Sequence, residues 1–318
     1  MAGGQERVLR RRIKSVQSTK KITRAMELIA ATRIVKAQQR VLAARPYADQ
    51  ITSVIRSLAS GGAGAGQPLL TPKTDVKKVA YVVLAGDRGL AGGYNSGVIR
   101  LAERAMLAEQ AANGTEYALI VVGKKAEDYF KFRKYPIART FKGFTDNPTY
   151  ENAREIATAV TAMFESGEVD QVQLSYTQFL SAGSQKPVLK RFMPIEMDVS
   201  SSGGANSSYE FEPDPSSILA SILPRYVESR LYAALLDSAA SEHAARQRAM
   251  KSATVNAGEI IKKLSRDMNA VRQAAITTEI MEIVGGAEAL NDASKGDLIA
   301  DRTSSSFDLF QARVAENA

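Results

Sequence analysis

The sequence predicts an α/β fold in which two long helices, one from each end of the chain, pair as an antiparallel coiled coil beside a central α/β domain. Three observations lead to this prediction: a long helical segment at the start, alternating strand and helix patterns in the middle, and a second long helical segment at the end. Helices separated by a whole domain can meet only if the chain leaves the pair and later returns to it. The length of 318 residues and the hydrophobic content of 45% are ordinary for a globular protein of one or two domains.

The first segment, residues 1–60, is predicted to form one long helix. Residues 5–58 contain no glycine, a single proline (Pro46) and mostly good helix formers. Apolar or small residues recur there at steps of three and four, which is the spacing of a coiled-coil seam. The members of this stripe are Met26, Ile29, Arg33 with Ile34, Ala37, Val41, Ala44, Ala48, Ile51, Ile55 and Leu58. A glycine-rich run then predicts a flexible linker over residues 61–75.

Residues 76–199 are predicted to form a Rossmann-like α/β domain. Buried-strand patterns occur at residues 79–85, 118–122 and 172–176, with helix patterns at 96–112, 124–132 and 150–166. Strands that alternate with helices indicate a largely parallel sheet covered by helices. Residues 200–215, which are rich in Ser, Gly, Asn and Pro, are typical of a loop.

The last helical segment, residues 216–288, is predicted to supply the second helix of the pair. A seam continues along it at Leu264, Met268, Val271 and Ala275. Further apolar residues surround much of its distal end: Ile276, Ile280, Ile283 and Val284. Two adjacent glycines, Gly285 and Gly286, are predicted to stop the helix. Residues 289–318 are polar and are predicted to form a flexible tail.

Positive charge is concentrated at the N-terminus. Residues 1–45 hold twelve Lys and Arg residues against two Glu residues, a difference of ten, so the remaining 273 residues together carry −2 of the total +8. Such a segment suggests nucleic acid or an anionic membrane surface. However, no aromatic residue that could stack on a base occurs before Tyr47, and the basic residues are spread along a helix. The segment therefore indicates a solvated helix face or a contact with an acidic protein partner, and no nucleic acid is expected.

The residue types that the chain lacks exclude several kinds of site. There is no cysteine, so disulfides, zinc-thiolate sites and cysteine nucleophiles are excluded. The single histidine, His243, leaves little scope for imidazole catalysis, and a solvent-facing position on a helix is expected for it. No apolar run approaches the length of a membrane span, and no signal-peptide core follows the N-terminal arginines. We therefore expect a cytoplasmic protein that associates with membranes only through partners.

A glycine-rich loop follows the first predicted strand, at residues 86–95. Its glycines at 86, 89, 92 and 93 fit neither the phosphate-binding P-loop nor the dinucleotide spacing. The loop is therefore predicted to be structural or to dock a partner, and no cofactor is expected. The residues of this structural loop are Asp87, Arg88, Gly89, Gly92 and Gly93.

Two carboxylates near the end of the second helix, Glu279 and Glu282, lie one helical turn apart. No basic or aromatic pocket surrounds them in the sequence, so an acid–base site is not favoured. Two alternatives stay open from the residues alone. One is an α/β enzyme that its helices oligomerise, and the other is a basic coiled-coil adaptor.

Several stretches resemble the gamma subunits of bacterial F-type ATP synthases. They are residues 13–33, the loop 87–95, residues 228–232, 241–246 and 249–254, and residues 274–287. These motifs stand in the order of the family, and the resemblance extends from about residue 5 to residue 290. It implies a central-stalk rotor that couples proton flow to ATP synthesis and has no catalytic site of its own.

The resemblance also implies partners and a location. The helix pair would turn inside a hexamer of three alpha and three beta subunits, and the rest would contact the epsilon subunit and the membrane c-ring. The chain would lie peripherally on the cytoplasmic face of the cell membrane, without inserting into it. Candidate contacts between rotor and stator are Lys20, Lys21, Met26, Arg33, Arg266, Arg272, Gln273, Thr277, Glu279 and Ile280. Met26 falls near the segment associated with coupling in the family, so Met26→Lys is predicted to uncouple hydrolysis from pumping.

The chain departs from the family in two places. Ala91 stands where the central loop of many members has cysteine, so thiol-based control is not expected. The residues after Leu290 continue past the end of many members. This extension is expected to be disordered, and the alternative is a contact with the top of the hexamer or an inhibition of rotation.

Overall fold

The computed structural model describes residues 2–58, 66–73, 75–195 and 214–315, with side chains between residues 4 and 291 of these ranges. Residues 61–65 and 74 of the predicted linker, and residues 200–213 of the predicted loop, lie outside the described residues. The chain divides into two compact units. One consists of residues 1–21 and 255–318, and the other of residues 22–254.

The elements follow one another in the predicted order of helix, α/β domain and helix. They are α1 (Ala2–Leu58), β1 (Lys78–Leu84), α2 (Tyr94–Asn113), β2 (Glu116–Val122), α3 (Lys124–Phe132), β3 (Arg139–Phe141), α4 (Tyr150–Glu165), β4 (Gln171–Phe179), β5 (Gln185–Met193) and α5 (Pro215–Ala315). The five strands form one sheet in the order β3-β2-β1-β4-β5, in which β1 to β4 run parallel and β5 runs antiparallel to β4. The predicted fold class is confirmed.

Two strands were not predicted, and their composition explains why. β3 has only three residues, and two of them are exposed. In β5, the charged residues Lys186, Lys190 and Arg191 interrupt the apolar ones, and the strand contains Pro187. Charges and proline are features of an edge strand, and both strands lie at edges of the sheet. A search for buried-strand patterns does not detect strands of this kind.

In the unit of residues 22–254, the sheet is covered on both faces. On one face, α2 and α3 bury residues such as Val98 and Phe130 against alternate positions of β1 and β2. On the other face lie α4, the end of α1 and the start of α5, which contribute Ile156, Ile55 and Leu219. Successive residues of a strand point to opposite faces of the sheet, and both faces are buried here. The central strands are therefore continuous apolar runs in the sequence.

Within the same unit, α1 and α5 pack antiparallel. Ala37 and Val41 of α1 share an apolar cluster with Leu236 and Ala240 of α5. Nearer the start of α1, the Thr254 hydroxyl donates a hydrogen bond to that of Thr23, at 2.8 Å. The residue numbers therefore rise along one helix as they fall along the other, as predicted.

The buried stripe of α1 differs from the predicted one at its N-terminal part. Ile29 is exposed by 54%, whereas Ala30 is exposed by 1%. The stripe runs through Thr23, Glu27, Ala30, Ile34, Ala37 and Val41. It keeps the spacing of four and three residues, but two of its members are polar and two are alanines. A prediction based on large apolar residues therefore places Ile29 in the seam, whereas the buried residue is its neighbour Ala30.

The predicted end of the second helix is wrong. α5 continues through Gly285 and Gly286 to Ala315. Glycine inside a helix costs only about 1 kcal/mol relative to alanine, and the flanking residues Ala287 to Leu290 favour helix. The flexibility predicted for residues 289–318 is not tested, since the side chains beyond residue 291 lie outside the described residues.

Candidate functional site

The loop that follows β1 is held by one carboxylate, that of Asp87. It accepts hydrogen bonds from the backbone N–H groups of Lys124 at 3.0 Å, Gly143 at 2.9 Å and Thr145 at 3.1 Å. The Thr145 hydroxyl also donates to it, at 2.9 Å. Burial acts to raise the pKa of Asp87, but these donors outweigh burial and hold the pKa below its ordinary value. Asp87 thus ties its own loop to the start of α3 and to the segment between β3 and α4.

Glycine is required in this loop by a close approach and by backbone conformation. The Gly86 N–H donates to the Asn95 side-chain oxygen at 2.8 Å, and a Cβ on Gly86 would lie 2.9 Å from a Glu242 carboxylate oxygen. Gly92 has a φ of 57°, in the left-handed region that glycine adopts without strain. Leu90 adopts a similar φ of 62°, so the loop turns sharply on both sides of Ala91. These residues give the predicted loop a fixed shape.

A buried ion pair on α5 supports the loop from the other side. The Arg246 guanidinium donates to the Glu242 carboxylate one helical turn away, and the Glu242 side chain has no exposed surface. Arg246 also donates to the backbone oxygen of Gly89 at 3.3 Å. Burial raises the pKa of Glu242, although Arg246 opposes this effect. One Glu242 oxygen has no hydrogen-bond partner within the part of the chain that the structure describes.

His243 lies beside this pair and is buried, so the expectation of a solvent-facing histidine is wrong. Its Nε2 lies 3.1 Å from the backbone oxygen of Asp146, an acceptor, so Nε2 donates there. Burial lowers the pKa of His243, which favours the neutral ring. The Asp146 carboxylate pairs with Arg33 at 3.0 Å and lies 4.0 Å from Arg88. One signal for this cluster is visible in the sequence, namely the spacing of four residues between Glu242 and Arg246.

These side chains mainly contact one another and the loop backbone, so their shared effect is to fix the loop against α5. No group of three or more His, Asp or Glu side chains that could hold a metal occurs among the described residues. A cleft of about 390 Å³ opens next to the loop, between α2, β4, β5 and α5. The loop residues and the buried cluster are thus brought together within the unit of residues 22–254.

The distal part of α5 belongs to the other unit and has a different surface. Leu264 is buried there, and Met268, Val271 and Ala275 are half-buried, as expected for a seam. Every residue from 276 to 291 is exposed. The large apolar residues among them are Ile276, Ile280, Met281, Ile283, Val284 and Leu290. Single exposed apolar side chains are ordinary, but six on 15 consecutive residues form an apolar surface, which indicates a contact with another molecule.

The residues predicted to contact a stator fall in both units. Eight of the ten belong to the unit with the distal part of α5: Lys20, Lys21, Arg266, Arg272, Gln273, Thr277, Glu279 and Ile280. All eight are exposed. In this unit the Lys20 ammonium lies 3.3 Å from the position that a Cβ on Gly258 would occupy, so α1 and α5 approach closely there. Met26, which is half-buried, and Arg33, which is exposed, belong to the other unit. Glu279 and Glu282 are both exposed, and neither lines a described cleft.

The described helices include none with an apolar stretch of the length needed to cross a membrane.

Comparison with known proteins gives consistent results. The family model described as ATP synthase matches residues 5–290. The chain is 52% identical over 296 residues to the ATP synthase gamma chain of a Parafrankia strain, a match that covers 90% of this chain and 98% of the relative. It is 46% identical over 303 residues to the gamma chain of Streptomyces coelicolor, covering 92% and 99%.

Solved structures show the same fold. A chain of the central stalk and c-ring of the Tetrahymena thermophila mitochondrial ATP synthase is 25% identical, with a TM-score of 0.58, and the match covers 73% of this chain and 99% of that one. A chain of the Euglena gracilis mitochondrial ATP synthase matches with a TM-score of 0.62 at 20% identity, covering 92% and 97%.

Proposed function

This chain belongs to the ATP synthase gamma family, and we propose that it is the central-stalk rotor subunit of a bacterial F-type ATP synthase. It couples proton flow through the membrane ring to ATP synthesis in the alpha/beta hexamer by rotating. The observation that carries this proposal is the identity of about one half with gamma chains over nearly their whole length. Two antiparallel helices, the longer of which exposes an apolar surface at residues 276–291, suit a rotor that turns inside a partner.

The partners follow from the same proposal. Three alpha and three beta subunits surround the helix pair, and the epsilon subunit and the c-ring contact other parts of the chain. The exposed apolar residues from Ile276 to Leu290 face the hexamer, since water is an unfavourable neighbour for such a surface. The exposed cations of α1 and α5, such as Lys21 and Arg272, pair with acidic groups of the stator.

We further propose that the chain has no catalytic site and that it lies peripherally on the cytoplasmic face of the cell membrane. The polar cluster around Asp87 and Glu242 supports the first part, because its groups contact one another rather than an open pocket. The charged surfaces of α1 and α5 support a peripheral position.

Co-purification tests the proposal directly. A tagged copy of the chain, expressed in place of the native one, is expected to purify with alpha and beta subunits at three each per chain. Recovery of the chain alone, with nucleotide turnover by the isolated chain, would instead support an α/β enzyme. Recovery with nucleic acid and steeply salt-dependent affinity would support a basic adaptor.

The contribution of Met26 to coupling can be measured in the purified complex. The Met26→Lys variant is expected to pump fewer protons per ATP hydrolysed than the wild type, because it places a charge on a half-buried position of α1. Met26→Leu, which conserves volume and polarity, is the matched control. Normal pumping per ATP by the lysine variant would contradict a role of Met26 in coupling.

A further inference from the structure

The cleft beside the glycine-rich loop lies at a switch point of the sheet. β1 is the middle strand of the sheet, with β2 and β3 on one side and β4 and β5 on the other. The chain first adds strands on one side of β1 and then moves to the other side. In open α/β sheets, ligands bind outside the carboxyl ends of the strands at such a point. The loop after β1 supplies Ala91, Gly92 and Gly93 to the cleft, and Thr177 near the end of β4 supplies the neighbouring wall. The cleft is therefore placed where this class of fold holds small ligands.

The cleft has the size and lining of a site for a small organic molecule. Its volume of about 390 Å³ falls within the range of ligand sites. One part of the lining is apolar: Ala91, Tyr94, Pro187, Ala245 and Ala249. The other part consists of glycine backbone and of polar residues, Thr177, Gln185, Ser241 and Arg248. Among the described residues, no carboxylate lines the cleft, and Arg248 is the only charged side chain in its lining.

Arg248 is held in position by three uncharged acceptors. Its guanidinium donates to the backbone oxygens of Ala182 and Gly183, at 3.1 and 3.0 Å, and to the side-chain oxygen of Gln185. A guanidinium has five N–H donors, so three bonds leave two donors available. None of the described carboxylates forms an ion pair with it. The turn between β4 and β5 thus orients a cation that keeps its charge and part of its hydrogen-bonding capacity.

A buried hydroxyl in the cleft wall, that of Thr177, has no hydrogen-bond partner among the described residues. Thr177 is exposed by only 3%, and its Oγ1 makes no hydrogen bond to any other described residue. The neighbouring Ser241 hydroxyl donates to the Thr177 backbone oxygen at 3.1 Å. A buried hydroxyl without a partner is unfavourable unless a ligand or water supplies one. Thr177 therefore indicates that a polar group occupies the cleft.

The start of α2 adds a third feature that favours an anion. Gly93 is the N-cap of this 20-residue helix, and it has no side chain that could cap the first N–H groups. Gly93 and Tyr94, the first helical residue, both line the cleft. The N-terminus of a helix carries a partial positive charge, which favours a phosphate group nearby. The Tyr94 N–H itself donates to the backbone oxygen of Ala91 at 3.2 Å, so α2 contributes its dipole to the cleft.

We propose that this cleft binds a small organic phosphate. The phosphate group accepts hydrogen bonds from Arg248 and the Thr177 hydroxyl, and it lies at the positive end of the α2 dipole. The organic part of the ligand lies against Tyr94, Pro187 and the alanines of α5. The site is separate from the contacts with the hexamer proposed above, and it gives the chain a ligand of its own.

Calorimetric titration of the isolated full-length chain tests this proposal, because the complete enzyme binds nucleotides elsewhere. AMP and inorganic phosphate serve as probes, and adenosine serves as the control that lacks a phosphate. AMP is expected to bind saturably, and Arg248→Gln is expected to weaken it about tenfold or more. Thr177→Val is expected to weaken it about threefold, through loss of one hydrogen bond. Lys251→Gln, an exposed change on the same helix outside the cleft, is expected to have no effect.

The amide resonances of Gly92, Gly93 and Thr177 locate the binding, since the basic residues of α1 also attract phosphate. Shifts at these amides that saturate with the calorimetric curve support the site. Thermal unfolding of each variant is recorded in parallel, so that an unfolded variant is not mistaken for a binding defect. Three results would overturn the proposal: no saturable binding at about 10 mM AMP, equal binding by the folded Arg248→Gln variant, or adenosine binding as tightly as AMP.

Discussion

Two stretches of the same helix reverse the usual relation between polarity and burial. In residues 238–246 of α5, polar side chains are buried, including Ser241, Glu242 and His243. In residues 276–290, large apolar side chains such as Ile280 and Ile283 are exposed. Each arrangement is unfavourable in isolation, since buried charges lose water and exposed apolar groups order it.

The difference shows where each stretch obtains its partners. The partners of the buried polar stretch lie in its own unit, namely the loop around Asp87 and the backbone oxygen of Asp146. The exposed apolar stretch keeps its large side chains exposed, and we propose that another subunit covers them. Changes in the first stretch should therefore affect the stability of the isolated chain, and changes in the second should affect only the assembled complex.

The largest effect is expected from Arg246→Ala. Removing the guanidinium leaves the Glu242 carboxylate buried without its ion-pair partner, which should lower the free energy of unfolding by about 3 to 5 kcal/mol. Chemical denaturation of the isolated chain measures this change. Lys251→Ala, an exposed change on the same helix, is the control, with an expected change below about 0.5 kcal/mol. Equal stability of the two variants would mean that the pair does not support the loop.

A smaller effect is expected from Asp87→Asn, which keeps the shape of the side chain but removes its charge. The lost charge-assisted bonds to Lys124, Gly143 and Thr145 should cost about 2 to 3 kcal/mol. The pKa of Asp87 is lowered in the folded chain, so its contribution is present above pH 3.8 and is lost as the pH falls further. Denaturation at pH 7 and pH 3 should therefore show a larger difference between wild type and variant at pH 7. A constant difference would argue against an ionised Asp87.

Asp237 on α5 should give a third effect, with the opposite dependence on pH. Burial raises its pKa from 3.8 to about 6, although Arg45 and Lys190 oppose the shift. The folded chain then binds this proton more tightly than the unfolded chain, so the stability from Asp237 is present below pH 3.8 and is lost as the pH rises through 6. Asp237→Asn should remove a decline of about 1 to 2 kcal/mol between pH 4 and pH 7. Asp49→Asn, at an exposed position, should leave the decline unchanged.

The smallest effect on the isolated chain is expected from the double change Ile280→Ser and Ile283→Ser. Both side chains are exposed, by 55% and 72%, so the free energy of unfolding should change by less than about 0.5 kcal/mol. ATP synthesis by the assembled complex should nevertheless fall, because we propose that this apolar surface contacts the hexamer. If membrane vesicles incorporate the variant normally and synthesise ATP at an unchanged rate, the exposed apolar stretch has no role in the assembled complex. Lys262→Gln, exposed on the same helix, is the control.

Much of the fold could be predicted because its long elements carry strong periodic patterns. The central strands β1 and β2 are continuous apolar runs, and the seam of α1 from Ile34 to Leu58 follows steps of three and four. The prediction failed where small or polar residues occupy buried positions, as at Ala30 and Glu27. It also failed at the edge strand β5, where charges interrupt the apolar pattern.

The buried cluster around Glu242 could not be predicted, for a related reason. Its members lie far apart in sequence, and their burial depends on how the loop of Asp87 packs on α5. A lone histidine on a helix is ordinarily exposed. His243 is buried because its ring hydrogen-bonds to the backbone oxygen of Asp146, a contact that the sequence does not reveal. The loop itself was recognisable from its glycines, whereas the groups that hold it were not.

The pairing of α1 and α5 in the unit of residues 22–254 also limits how this chain can change length during evolution. Inserting one residue into either helix rotates everything beyond it by about 100°, which would move Thr23 or Ala37 away from its partner on α5. An insertion of seven residues restores the face but displaces the partners by about 10 Å along the axis. Insertions and deletions among descendants of this sequence should therefore accumulate at turns, such as that between β4 and β5, and leave the paired helices constant in length.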